Sequence, residues 1–285
     1  MKVLLTGSKG QLGCCFQDRL PTDWEIWATD SDVLDITDLS AVRAAVADYK
    51  PTIIVNAAAY TAVDKAETEH ELAALINKVG PENLAVAAKE VGARLVHVST
   101  DYVFDGTAST PYIETDITNP LGVYGLTKLD GEIAVTSIQQ EAIIIRTAWV
   151  FSEYGNNFVK TMLRLAKDRD TLGIVADQRG CPTYAGDIAQ AIITLVQNNA
   201  HGGIYHFGGD KEVAWNEFAT SIFDIAIEKK ALVKIPIVNG IATEQYPTPA
   251  VRPKYSVLNC TKIKNQGVLT SNWETALEFV IAKLV

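Results

Sequence analysis

Nowhere in the 285 residues do apolar side chains run for the ~18 positions that a membrane-spanning helix requires. The N-terminal run Val3-Leu4-Leu5 stops at Thr6-Gly7, too short for the apolar region of a secretion signal. Cysteine is scarce as well. Cys14, Cys15, Cys181 and Cys260 contain no Cys-x-x-Cys pair and have no histidine at zinc-ligand spacing. That leaves neither a disulfide framework nor a zinc site, and predicts reduced thiols in a cytoplasmic protein. Basic residues are in deficit, 25 Lys and Arg against 34 Asp and Glu, for a net charge of -9. A nucleic-acid footprint needs clustered cations, so neither nucleic acid nor membrane is expected as a partner. The histidines His70, His97, His201 and His206 are scattered, and no metal site is predicted.

What is present suits an ordinary enzyme-sized fold. Apolar residues make up 48% of the chain and charged residues 21%. At this length roughly three quarters of the unfolded surface can be buried, so the core needs no staples. Short β-branched runs recur with room for a helix between them: Val3 to Thr6, Glu25 to Thr29, Thr52 to Asn56, Leu95 to Val98 and Ala142 to Arg146. Continuous apolar runs of this kind belong to strands covered on both faces, hence to a parallel sheet. Asp38 is placed to cap a helix through Tyr49; Leu72, Leu75 and Ile76 mark another; Pro81 opens a third, ending at Gly92. The prediction is an α/β protein with a Rossmann-like, doubly wound parallel sheet and a smaller mixed α/β part. Residues 1–148 form the dinucleotide-binding domain in this reading, and 149–285 mainly the substrate-binding one. Residues 185–207, a helix and the strand Ile204 to Phe207, return to the first part. The Pro-bearing loop Tyr246 to Pro249 is the expected flexible or binding segment.

Gly7, Gly10 and Gly13 follow the first strand and open the first helix. Glycine serves there for a tight turn, close approach of N–H groups to a pyrophosphate, and helix-on-strand packing. The spacing is one residue off the dinucleotide fingerprint, but the strand-turn-helix setting is the one it demands. Asp30 ends the second strand, where a carboxylate can accept from the adenosine ribose; it also reads as a plain exposed acid.

Of the ten tyrosines, only Tyr124 has a lysine four residues on, Lys128. In a helix both side chains share one face, one turn apart. A phenol with a pKa of about 10 is a poor acid or base at neutral pH, and a fixed ammonium is expected to lower it. One such spacing also arises by chance. Upstream, Ser99-Thr100-Asp101 ends the fourth strand, where open α/β sheets place ligands. The Thr100 hydroxyl is placed to bond a substrate carbonyl that Tyr124 protonates.

Thr6-Gly7-x-x-Gly10-Gln11-Leu12-Gly13, Asn56-Ala57-Ala58-Ala59, Ser99 to Phe104 and Tyr124-Gly125-x-Thr127-Lys128 come in an order that resembles the extended short-chain dehydrogenase/reductase family. Asn56 to Glu67 and Tyr246-Pro247-Thr248-Pro249-Ala250-x-Arg252-Pro253 resemble its branch acting on dTDP-linked 4-ketosugars. The resemblance covers nearly the whole chain. It implies an NADPH- or NADH-dependent reductase of dTDP-4-dehydro-L-rhamnose in dTDP-rhamnose biosynthesis, acting as monomer or homodimer. It implies Tyr124 as proton donor, Lys128 as its modulator and ribose ligand, and Thr100 as the carbonyl-orienting hydroxyl. Gly7, Gly10, Gln11, Leu12 and Gly13 would then hold pyrophosphate, Asp30, Asp35 and Ile36 adenosine, and Ala59, Tyr60 and Thr61 the nicotinamide side. Asp101, Trp149, Asn157 and Arg252 would meet the substrate. Cys15 departs from relatives that carry a glutamate there for a magnesium-linked dimer. A thiol suits a hard cation poorly, so magnesium is doubtful. Two other readings stay open: another nucleotide 4-ketosugar reductase or epimerase, and a non-catalytic NADP-binding regulatory subunit.

Overall fold

The computed structural model describes all residues, Met1 to Val285. Six parallel strands form the main sheet: β1 (Lys2–Thr6), β2 (Glu25–Thr29), β3 (Ile53–Asn56), β4 (Arg94–Thr100), β5 (Ile143–Thr147) and β6 (Gly203–His206). Their spatial order is 6-5-4-3-1-2, so the connection reverses direction between β1 and β3. That switch point opens the crevice in which doubly wound sheets bind ligands.

Both faces of the sheet are dry, as the apolar runs demand. Successive side chains alternate between faces: Val3, Leu5, Val55, Val96 and Ile145 join one core with Phe16, Ile188 and Phe218. Leu4, Ile54, Leu95 and Ile144 join the other with Val42, Val46, Leu84 and Ala88. The first core is the larger and runs on into the C-terminal helices, through Phe223, Trp273 and Ile281. Helix Ala185–Gln197 and β6 lie within the sheet layers, while three short strand pairs stand outside it.

Local chemistry explains most boundaries. Asp38 caps helix Leu39–Tyr49 by accepting from the Ser40 and Ala41 N–H groups. Gly92, at φ 72°, ends helix Gly80–Val91 in the left-handed region. One expectation is corrected here. The two helices predicted around Leu72 and after Pro81 are one continuous helical run, His70–Ala74, a π-helical turn Leu75–Val79, and Gly80–Val91. Proline has no N–H for the carbonyl four residues back, which is that of Asn77, and the π turn absorbs the fault.

Candidate active site

A cavity of about 1190 Å³ lies over the C-terminal ends of the strands. Its first wall begins where β1 hands over to Gly7, at φ 71°. A Cβ on Gly7 would stand 2.5 Å from the Ala58 nitrogen, and one on Gly13 2.2 Å from the Gly7 carbonyl oxygen. Turn, helix and the end of β3 therefore meet backbone to backbone, a contact only glycine permits. Helix Gln11–Asp18 starts at Gly10 with no side-chain cap and no acid in its first turn. Its first N–H groups are left for an anion. Asp30 is fixed beside the turn, accepting from the Lys9 N–H at 3.0 Å and the Ser31 N–H at 2.8 Å. Behind the wall, Asn56 accepts from the Thr6 hydroxyl at 2.7 Å and the Ala58 N–H at 3.1 Å, and pairs with His97 at 2.9 Å.

The opposite wall is carried by helix Val123–Ile138, whose first N–H, on Val123, donates to Glu67 at 2.8 Å. Tyr124 and Lys128 both face the cavity from it, together with Thr100 and Asp101 of the adjoining strand end. The Thr100 hydroxyl donates to Asp101 at 3.0 Å. Burial pushes the Asp101 carboxyl up to about 6, against the pull of the Ser256 and Thr100 hydroxyls. Its Oδ2 has no partner in the protein.

The Tyr124 phenol stands above its ordinary range. Burial pushes Tyr124 up to about 12, with the Thr100 hydroxyl countering and the Asp101 carboxylate adding to the rise. The Lys128 ammonium donates to the Val98 carbonyl at 2.6 Å, which takes one of its three N–H groups. Burial lowers Lys128 to about 8, and Glu132, one turn further on, opposes that. Tyr124 therefore carries its proton at neutral pH.

Beneath this wall lies a buried polar network. Arg146 grips Glu132 with Nη2 at 2.7 Å and Nε at 3.0 Å, and the Ser99 hydroxyl donates to the same carboxylate. Arg146 also approaches His206 at 3.5 Å and lies over the Phe104 ring. Residue-type reasoning missed Glu132, although its spacing of four from Lys128 was visible. It also missed Glu67, Trp215 and Asn77, whose side chain holds both the N–H and the carbonyl of Tyr60.

Of the residues singled out in the sequence, Gly7, Gly10, Gln11, Leu12, Asp30, Asp35, Ile36, Ala59, Thr61, Trp149 and Asn157 line this same cavity. Three do not. Gly13 is packed behind the turn, as its role in helix packing requires. The Tyr60 hydroxyl turns outward to Glu69, at 2.6 Å. Arg252 is held by both oxygens of Asp64, at 2.9 and 2.8 Å, and by Thr248 at 2.6 Å, which ties down the loop expected to be flexible. Asn157 caps helix Phe158–Asp168 and donates to Gln11 at 2.9 Å, joining that helix to the start of helix Gln11–Asp18. Cys15 is buried and pushed up to about 12, so it stays a thiol. No group of three or more His, Cys, Asp or Glu side chains is gathered as a metal site. No helix is long and apolar enough to cross a membrane.

The RmlD substrate binding domain family matches residues 1–285. A dTDP-4-dehydrorhamnose reductase of Aggregatibacter actinomycetemcomitans is 48% identical, over 99% of this chain and 98% of its own. That of Salmonella typhimurium is 41% identical, over 100% and 98%. The crystal structure of the Clostridium acetobutylicum dTDP-4-dehydrorhamnose reductase superposes with a TM-score of 0.94 at 41% identity, covering 100% of this chain and 99% of that one. The Bacillus anthracis reductase, solved in complex with NADP, gives 0.92 at 40% identity over 98% of each. Matched from end to end in sequence and in structure, this chain belongs to the RmlD family of dTDP-4-dehydrorhamnose reductases.

Proposed function

We propose that the protein reduces the C4 keto group of dTDP-4-dehydro-L-rhamnose with NADPH or NADH, giving dTDP-L-rhamnose. The observation that carries the reading is the sharing of one cavity by an uncapped glycine turn and by Tyr124, Thr100 and Asp101. Residues 1–148 hold mainly the coenzyme and 149–285 mainly the sugar, in the cytoplasm, as a monomer or homodimer.

The cradle fits a dinucleotide: Gly7 and Gly10 line it, and Cβ atoms at Gly7 and Gly13 would break the backbone packing that shapes it. Gly7, Gly10, Gln11 and Leu12 meet the pyrophosphate, with Gly13 holding the turn closed. Asp30, Asp35 and Ile36 flank adenosine; Ala59, Thr61 and the Tyr60 backbone flank the nicotinamide side. A reduced nicotinamide bound there supplies the hydride for C4. Thr100 orients the carbonyl oxygen, and Tyr124 gives that oxygen its proton. Lys128 positions the ribose and keeps positive charge near the new phenolate. Asp101, Trp149, Asn157 and, from beyond Tyr102, Arg252 meet the nucleotide sugar.

Removing only the phenolic hydroxyl, in Tyr124→Phe, is expected to lower turnover by about two orders of magnitude or more. Coenzyme affinity, followed by fluorescence titration, is expected to stay near that of the wild type. A variant that oxidises coenzyme with the 4-keto sugar at the wild-type rate would take Tyr124 out of the reaction.

A further inference from the structure

Trp149 has φ 48°, in the left-handed region that bulky residues avoid. A backbone of that kind persists only where its surroundings over-determine it. Three contacts do so here. The Trp149 carbonyl accepts the Thr183 N–H at 3.1 Å. Its indole lies flat on that of Trp215, with ring centroids 3.5 Å apart and planes 8° from parallel. Its edge rests on Gly180, where a Cβ would stand 2.6 Å from Cε2 and 2.7 Å from Nε1.

Aromatic rings left to themselves prefer offset or edge-on arrangements, so a near-eclipsed pair is imposed by what encloses it. Trp215 opens helix Trp215–Glu228 and is backed by Phe158, with centroids 4.6 Å apart. Both indoles line the cavity with Tyr124 and Asp101. Thr147, two residues before Trp149, is in register with Thr100, so the stack stands beside the reacting end of the cavity.

We propose that Trp215 and Gly180 are positioning residues that clamp Trp149 in its left-handed backbone. The paired indoles thereby form the platform for the apolar C–H face of the sugar ring while its C4 oxygen meets Tyr124. The inference rests on the reductase reading above, and deepens it by naming what orients the hexose. Neither Trp215 nor Gly180 needs to touch the coenzyme for this role.

The test uses Trp215→Ala, Trp215→Phe and Gly180→Ala in the intact protein. Each is measured for the near-ultraviolet circular dichroism of the coupled indoles, for NADPH binding by fluorescence titration, and for KM of the 4-keto sugar. Trp215→Ala is expected to lose the coupled signal and raise the sugar KM about five- to tenfold, with NADPH affinity unchanged. Trp215→Phe is expected to lose the signal yet recover most of the KM. Gly180→Ala, pressing on the edge of Trp149 and on the Ser256 hydroxyl, is expected to raise the sugar KM with NADPH affinity unchanged. A folded, coenzyme-binding Trp215→Ala or Gly180→Ala with wild-type sugar KM would overturn the platform and leave the reductase reading intact. Wild-type protein that binds NADPH but does not oxidise it with the 4-keto sugar would overturn both.

Discussion

One wall of the cavity is shaped by close backbone packing: the Gly7–Gly10 turn, the uncapped first turn of the helix behind it, and the chain leaving β3. Along the catalytic wall the cavity meets side chains whose ordinary ionisation is disturbed by burial, among them Asp101, Tyr124 and Lys128. The first wall offers free N–H groups at a helix start, a setting that suits an anion. The second must hold protons at chosen atoms, which requires desolvation and the buried Glu132–Arg146 pair to sustain it. One wall therefore fails by steric intrusion, the other by loss of charge balance.

The contrast can be broken most severely at the catalytic wall. Glu132→Gln leaves Arg146 as a buried, uncompensated cation, and is expected to cost about 3–5 kcal/mol in urea unfolding. A loss below about 1 kcal/mol would mean the network contributes no more than a surface pair. Next in size is a pH effect at Asp101. Burial raises its folded-state pKa to about 6, above its value in the unfolded chain, so the folded protein holds this proton more tightly. That stabilisation is complete below the unfolded pKa of about 3.9 and is lost as pH rises through about 6, a change of roughly 3 kcal/mol. Asp101→Asn is expected to flatten that part of the stability–pH curve, and an unaltered slope would place the proton elsewhere. Smallest in stability is Gly13→Ala at the first wall, expected to cost about 1–3 kcal/mol. Its distinguishing sign is loss of NADPH binding, because the new Cβ meets the Gly7 carbonyl oxygen. Retained NADPH affinity in that variant would show that the turn can yield.

The two walls also differ in how openly the sequence displays them. The glycine spacing, the end of the second strand at Asp30 and the Tyr124–Lys128 interval are local patterns, and the cavity gathers all but Gly13 of these residues. The support of the catalytic helix is not local. Glu67 caps it from 56 residues away, and Arg146 meets Glu132 only because the sheet brings β5 within side-chain reach of the helix. Lys128 shares a face with Tyr124 as its spacing specifies, but the Val98 carbonyl that its ammonium meets there was not visible in that spacing. Arg252 illustrates the same gap: a free cation in the sequence is a partner of Asp64 in the fold.

Periodicity and residue chemistry alone determined the six parallel strands, the glycine turn after the first of them and the Tyr124–Lys128 pair on one helix face. These are written over a few consecutive residues, where backbone geometry leaves little choice. Tertiary structure decided which charges are neutralised, how far each proton is held from its ordinary pKa, and that Trp149 lies flat on Trp215. Those properties depend on distance through space and exclusion of water, which only the assembled core sets.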